Sequence, residues 1–466
     1  MDKNTKLKDK LFTAKKSVWD GLSAPEEKKL FEFSEGYKKF LGECKIEREA
    51  VSYIVNAASK HGYKDLNKAT RNDNKFFVNY KGVCAMLVNI GDKSFKDGFK
   101  IIASHIDSPQ LDLKSNALYE TEEMAYFKTK YYGGIKKYQW VTIPLSMHGV
   151  VVKRDGKLVN VVIGEHDSDP VFTVNDLLIH LAQDQVTKPA NKVIEGEQLN
   201  ILVGSVPYKF KSGKDAVKLA IMEILNKRYG IVEEDLVSAE LHLVPAGKAR
   251  DVGLDRSFVG AHGQDDRVCA YTSLKAFLEA GRSHKNLMVV FLDKEEIGSI
   301  GDAAADSNFV ERMVTKVMSL YGIKDYEQIK NAMAKSKAIS ADVTAAVDPE
   351  WKNVMDMLNS AKAGYGVGVV KSVGTRGKYN ANDTHPEFMA QIRDAFFKEK
   401  VKWQIGELGK VDQGGGGTVS VYFAYHGMDI VECGTALLSM HSPFEVASKA
   451  DVYSTYQAYK AFYKHC

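Results

Sequence analysis

The sequence predicts an α/β fold in which strands and helices alternate in layers, interrupted by a β-rich segment. Three observations carry that expectation. Short apolar runs such as Lys100-Ile-Ile-Ala-Ser104, Asn286-Leu-Met-Val-Val-Phe-Leu292 and Lys337-Ala-Ile-Ser-Ala341 have the length and composition of buried strands. Segments with helical apolar spacing stand between or after them, at residues 268–278, 386–400 and 449–464. Between roughly Leu113 and Glu240 the pattern changes, and candidate metal-ligating clusters are absent from that stretch.

Taken in order, the first sixty residues read as helical, with apolar residues at helical spacing over 26–41 and 46–61. From about Lys75 the pattern becomes strand-like and ends at His105. In the middle segment, Gly149-Val-Val-Val-Lys-Arg-Asp155-Gly156-Lys-Leu-Val-Asn-Val-Val reads as a hairpin, its Asp-Gly supplying positive φ at the turn. After Glu240, strands and helices alternate again. Pro386 suits a first helical turn, with Thr384 or His385 at the cap. This division suggests a fold split by an insertion, with residues 1–114 and 243–466 forming one domain and 115–242 the other.

The 466 residues, 44% of them hydrophobic, suffice for a large core and at least two domains. A net charge of +4 from 64 basic and 60 acidic residues calls for neither nucleic acid nor an anionic membrane surface. Without a continuous apolar run near the N-terminus, or one of membrane-spanning length, a cytoplasmic location is expected. Cys44, Cys84, Cys269, Cys433 and Cys466 are odd in number and widely spaced, which indicates neither a disulfide framework nor a thiolate metal site.

The chemistry lies where the apolar runs end. Glu295 and Glu296 follow the 286–292 run, at the rim where open α/β sheets build their sites. Two adjacent acids repel each other and resist desolvation, a conflict that a cation resolves. His105-Ile-Asp107 follows another run; in that spacing an imidazole can bind metal through one nitrogen while the carboxylate orients the other. Gln264-Asp265-Asp266-Arg267, Asp342 and His441-Ser-Pro complete a set of oxygen and nitrogen donors. Such a set fits two divalent cations and points to a two-metal hydrolase.

Ser104-His-Ile-Asp-Ser-Pro, Gln264-Asp-Asp-Arg, Asp293-Lys-Glu-Glu-Ile-Gly-Ser, Ser340-Ala-Asp-Val and Ser439-Met-His-Ser resemble, in order, the motifs of the M18 aspartyl aminopeptidases. That resemblance implies a mixed-sheet zinc-exopeptidase catalytic domain with helices on both faces, plus an inserted, mainly β dimerisation domain. It implies one metal on His105, Asp265 and Asp342, and a second on Asp265, Glu296 and His441, with Asp265 bridging and Asp266 outside the set. Zinc is the metal expected, with cobalt or manganese also compatible. Glu295 becomes the general base and Asp107 the residue that orients His105. The family further implies peptide substrates and dimers that assemble into a tetrahedral dodecamer. A carboxypeptidase or N-deacylase of the M20 type, and a catalytically silent cage, are the alternatives.

Substrate preference is where the chain departs from the family. The family has a histidine in an Ala-Val-His-Pro motif; here the stretch is Ala346-Val347-Asp348-Pro349. Lys371 matches the family's pocket lysine. An acidic substrate gains from Lys371 and loses to Asp348, a basic one reverses those signs, and a Lys371–Asp348 pair would broaden the choice. His180 matches a histidine that reaches a neighbouring subunit's site. Gly416 and Gly417, in the run Asp412-Gln-Gly-Gly-Gly-Gly-Thr418, are expected beside the substrate, the alternative being a flexible loop.

Overall fold

The computed structural model describes residues 3–13, 16–92, 94–210, 213–281, 283–374, 376–377 and 382–466. Among the described residues, nine strands form the principal sheet. Its centre is four mutually parallel strands in the order Asn286–Leu292, Phe99–His105, Lys337–Ser340 and Asp429–Gly434. Cys84–Asn89 pairs antiparallel on one side and Val367–Val370 antiparallel on the other. The continuous apolar runs are explained by this placement: every residue of Asn286–Leu292 and of Phe99–His105 is buried, because helices cover both faces.

Alternate strand residues feed two cores. Val289, Phe291, Ile102 and Ile339 pack with Phe277, Ile392 and Phe462, which belong to the helices Gln264–Glu279, Pro386–Lys398 and Lys449–His465. Val290, Leu292, Ile101 and Ala338 pack on the other face with Phe309, Ile329 and Phe423. Each such side chain contributes about 1.5–3 kcal/mol by leaving water.

A second sheet of seven strands lies within Gln110–Pro245 and has its own core, around Trp140, Phe127, Leu145 and Leu243. Its strands Leu145–Val152 and Leu158–Ile163 pair Val152 with Leu158 across a turn in which Gly156 has φ +81°. This is the hairpin that Asp155-Gly156 predicts. A five-stranded sheet, which includes Phe258–Ala261, Ala436–Leu438 and Glu445–Ser448, delivers Asp265 and His441 towards the ends of the parallel strands. Gly434 admits a close approach there: a Cβ on it would lie 2.0 Å from the Asp342 carbonyl.

Candidate metal centre

Because the central strands run parallel, their C-terminal ends share one edge of the sheet, and their last residues meet there. His105 closes its strand, Glu295 and Glu296 follow Leu292 by a short turn, and Asp342 follows Ser340 by two residues. Asp265 stands in the first turn of the helix Gln264–Glu279, joined to Asp266 by a cis peptide. His441 has a φ of +63°, unfavourable for a side-chain-bearing residue, and its N–H is held 2.7 Å from Glu445 Oε1.

The geometry centres on Asp265. Its Oδ1 lies 3.2 Å from His105 Nε2, and its Oδ2 lies 3.1 Å from His441 Nε2. Asp342 and Glu295 approach the same His105 nitrogen at 3.8 and 3.9 Å, and Glu296 approaches His441 Nε2 at 3.5 Å. Donor atoms of His105, Asp265 and Glu296 lie within 4.8 Å of one another, as do those of His105, Asp266 and Asp342. Asp266, which the sequence reading leaves outside the ligand set, is thus within reach of the His105–Asp342 position.

Asp107 ties the imidazole to the acid pair. Its carboxylate is 3.3 Å from His105 Nδ1, which also lies 3.1 Å from the Asp107 carbonyl. The same carboxylate accepts from the Tyr132 hydroxyl at 2.8 Å and from the backbone N–H groups of Glu295 and Glu296 at 3.2 and 3.1 Å. Burial works against its charge, but the His105 and Tyr132 hydrogen bonds hold it below the usual carboxylate range.

Sequence reasoning missed three contributors. Glu445, fully buried, accepts from the backbone N–H of both Asp265 and His441 and so fixes one against the other. Tyr132 and Gly134 come from the second sheet's segment, and the Gly134 carbonyl lies 2.8 Å from His441 Nδ1. The only trace of Glu445 in the sequence is its place four residues after His441. Nothing local announces Tyr132 or Gly134.

The charge balance is that of a cation site. Asp265, Asp266, Glu295, Glu296 and Asp342 converge on two imidazoles, and among the described residues no Lys or Arg forms an ion pair with them. Glu296 Oε1 and both Asp266 carboxylate oxygens are buried without a hydrogen-bond partner. Burial pushes Glu295 up to about 7, the Asp107 and Asp265 carboxylates adding to it while the histidines oppose. Burial also raises Glu296, Asp266 and Asp342 well above the carboxylate range, while Asp265, against its own burial, lifts His441 to about 10. These residues fit divalent metal: oxygen and nitrogen donors, excess negative charge and orphaned buried oxygens.

Beside them opens a cavity of about 510 Å3 lined by Asp265, Glu295, Asp342, His441, Gly416 and Gly417, with Glu432 among its other wall residues. The glycine run folds tightly; a Cβ on Gly414 would lie 1.8 Å from the Leu408 carbonyl. The remaining expected substrate residues are not brought here. Lys371 is exposed, and Asp348 turns back to cap its own segment by accepting from Glu350 N–H at 2.9 Å. Among the described residues, neither lines the cavity. His180 is exposed in a short turn at Ile179–Leu181, within the second sheet's segment.

A three-layer α/β fold with paired histidines and carboxylates at the ends of its parallel strands defines the class of metal-dependent hydrolases. Residues 40–463 match the family described as Aminopeptidase I zinc metalloprotease (M18). The chain is 49% identical to a probable M18 family aminopeptidase 1 of Clostridium acetobutylicum, over 96% of this chain and 97% of that protein. It is similar to the crystal structure of an M18 aminopeptidase from Thermotoga maritima, with TM-score 0.93, 42% identity, and 97% of this chain and 100% of that one covered. Aminopeptidase I of Clostridium acetobutylicum gives TM-score 0.90 at 47% identity, covering 97% and 99% of the two chains. The dodecameric mApe1 of S. cerevesiae shares the fold, with TM-score 0.75 at 20% identity and 94% and 96% covered. The chain therefore belongs to the M18 family of zinc metalloprotease aminopeptidases.

Proposed function

We propose that this chain removes N-terminal residues from peptides with two divalent metal ions, one held by His105, Asp265 and Asp342 and the other by Asp265, Glu296 and His441. The observation that carries the reading is Asp265, which turns one carboxylate oxygen to each imidazole. Zinc suits this donor set, and cobalt or manganese are compatible substitutes. When bound, the ions supply Lewis-acid polarisation of the scissile carbonyl and of the attacking water.

The chain's own residues do the rest. Glu295 lines the cavity and takes the proton from water, then returns it to the departing amine. Asp107 keeps His105 in one tautomer and orientation, and Glu445 keeps Asp265 and His441 in register. The Gly416–Gly417 backbone borders the space for substrate. Val370 and Ser372, on either side of Lys371, line the cavity while Lys371 and Asp348 are not among its wall residues, which supports a selectivity carried first by the groups that do line it.

Residues 115–242 act as a dimerisation domain in this reading. Leu178, Ile179 and Leu181, 54, 71 and 68% exposed around His180, form an apolar patch that a second copy would cover. Dimers assembling into a tetrahedral dodecamer would parallel the dodecamer of the S. cerevesiae relative. Ile179→Asp should lower the sedimenting mass of the assembly, and an unchanged mass would remove that turn from the interface. A cytoplasmic site of action suits the free cysteines, Cys44, Cys84, Cys269 and Cys433 being buried as thiols.

Hydrolysis of peptides with free and N-acetylated termini, after chelation and after metal restoration, tests the central reading. Metal-dependent cleavage of free termini alone is expected. Cleavage confined to blocked peptides would replace it with an N-deacylase.

A further inference from the structure

The aminopeptidase reading leaves one buried carboxylate of the cleft unused. Glu432 lies on the central strand Asp429–Gly434 and is 6% exposed, yet it lines the same cavity as Asp342 and Glu295. Its backbone pairs with Ser340 on one side and Val370 on the other. Its Oε2 is buried without a hydrogen-bond partner, and the Thr418 side chain stands in the same cavity wall, where its hydroxyl lies 2.8 Å from that of Ser420. Among the described residues, Glu432 forms no ion pair with a lysine, arginine or histidine.

An acid placed in a wall of this kind is costly unless a polar group arrives to meet it. Val431 and Cys433, on either side of it in the strand, turn to the opposite face and pack in the core there, which leaves Glu432 on the cavity face.

The register says which part of a peptide that is. Ser340 precedes Asp342 by two residues, so Glu432 lies about 7 Å back along the strand direction from the metal-binding edge and one strand spacing, about 5 Å, to the side. A substrate's α-amine is two bonds from the scissile carbon and stays beside the metal-binding edge. The far end of a long first side chain spans that gap.

Resting on the aminopeptidase reading, we propose that Glu432 is a specificity-determining residue that accepts the ammonium or guanidinium of a lysine or arginine at the substrate's N-terminal position. Val370 and the Gly406 backbone, which also line the cavity, flank the path of the aliphatic stem. The selection is electrostatic and directional: an acidic first residue would meet Glu432 as a like charge, and a short apolar one would leave it unmatched.

The test uses the full chain with its metals restored and peptides that differ only in the first residue: lysine, arginine, norleucine and aspartate. Norleucine has lysine's straight stem without its charge. The wild-type kcat/KM for lysine and arginine should exceed that for norleucine by about tenfold or more, the scale of one charged hydrogen bond. In Glu432→Gln the lysine-to-norleucine ratio should fall by a similar factor, whatever happens to the absolute rates. A ratio unchanged by the substitution, or a wild-type preference for norleucine or aspartate, would overturn the proposal. Inhibition of the wild-type enzyme by free L-lysine against free L-norleucine gives a reading that does not depend on the variant folding; lysine should bind more tightly, and equal inhibition would count against Glu432. Failure to cleave any free N-terminus would instead overturn the aminopeptidase reading, and this proposal with it.

Discussion

At the scale of single residues, the centre separates groups that act on the reacting atoms from groups that hold them. In the proposed mechanism Glu295 belongs to the first kind: it lines the cavity beside the inferred metal ligands, where its carboxylate can accept a proton from water and return it. Glu295→Gln keeps the shape and removes the base. Turnover should fall about a hundredfold to ten-thousandfold, while metal content, measured by mass spectrometry of the dialysed protein, stays at the wild-type level. Asp107 is of the second kind, since one carboxylate positions His105 and the backbone of both glutamates. An amide there offers a single acceptor oxygen to several donors. Asp107→Asn should therefore weaken metal retention about ten- to a hundredfold against a chelator, and excess metal should restore part of the activity. Retention equal to wild type would show that His105 needs no such support.

At the scale of elements, most of the strands and helices rest on patterns visible in the chain, and a few helix starts are held by a side chain that satisfies a free backbone group. The helix Tyr326–Ala334 illustrates this, because Asp325 accepts from the Gln328 N–H at 2.9 Å at its start. That helix covers one face of the principal sheet through Ile329 and Met333. Asp325→Ala leaves the N–H without its partner and should cost about 1 kcal/mol, read as a lower chemical-denaturation midpoint with an unchanged slope. The element that the sequence describes least well is the run at 177–181, which is an exposed turn. Its apolar residues Leu178, Ile179 and Leu181 stay more than half exposed, so apolar spacing there does not mark a buried face.

At the scale of the molecule, the second sheet meets the helix Glu47–Lys60 along a seam of buried and half-buried charge. The helix Glu47–Lys60 brings Glu47, Arg48 and Glu49 against His242, Glu240 and His148 respectively. Burial opposes the charge of Glu240, but the His242 imidazole 4.0 Å away and the hydrogen bonds from Arg48 prevail and hold its pKa down at about 2. A depressed folded-state value stabilises the fold fully above the ordinary value of 4.5, and that share is lost as pH falls from there through about 2. The stability deficit of Glu240→Gln should thus be constant above about pH 5 and shrink as the pH approaches 2, measured by denaturation at each pH. A deficit independent of pH would mean that the residue acts by packing alone.

The same seam marks the limit of what could be read in advance. The sequence by itself determined the α/β character, the buried parallel strands and the identity of the convergent donors, because each apolar run ends in a residue too polar for a core. It also carries the family motifs, through which His105, Asp265, Glu296, Asp342 and His441 could be picked out together. Only the tertiary structure decided that Asp266 lies within reach of the same metal position, that Glu445 and Tyr132 brace the centre, and that Lys371 and Asp348 stand outside the cavity while Glu432 stands within it. The physical reason is range. Periodicity and strand ends are local properties of the chain. The company a side chain keeps across a sheet depends on register and on segments far away in sequence, as when Gly134 meets His441.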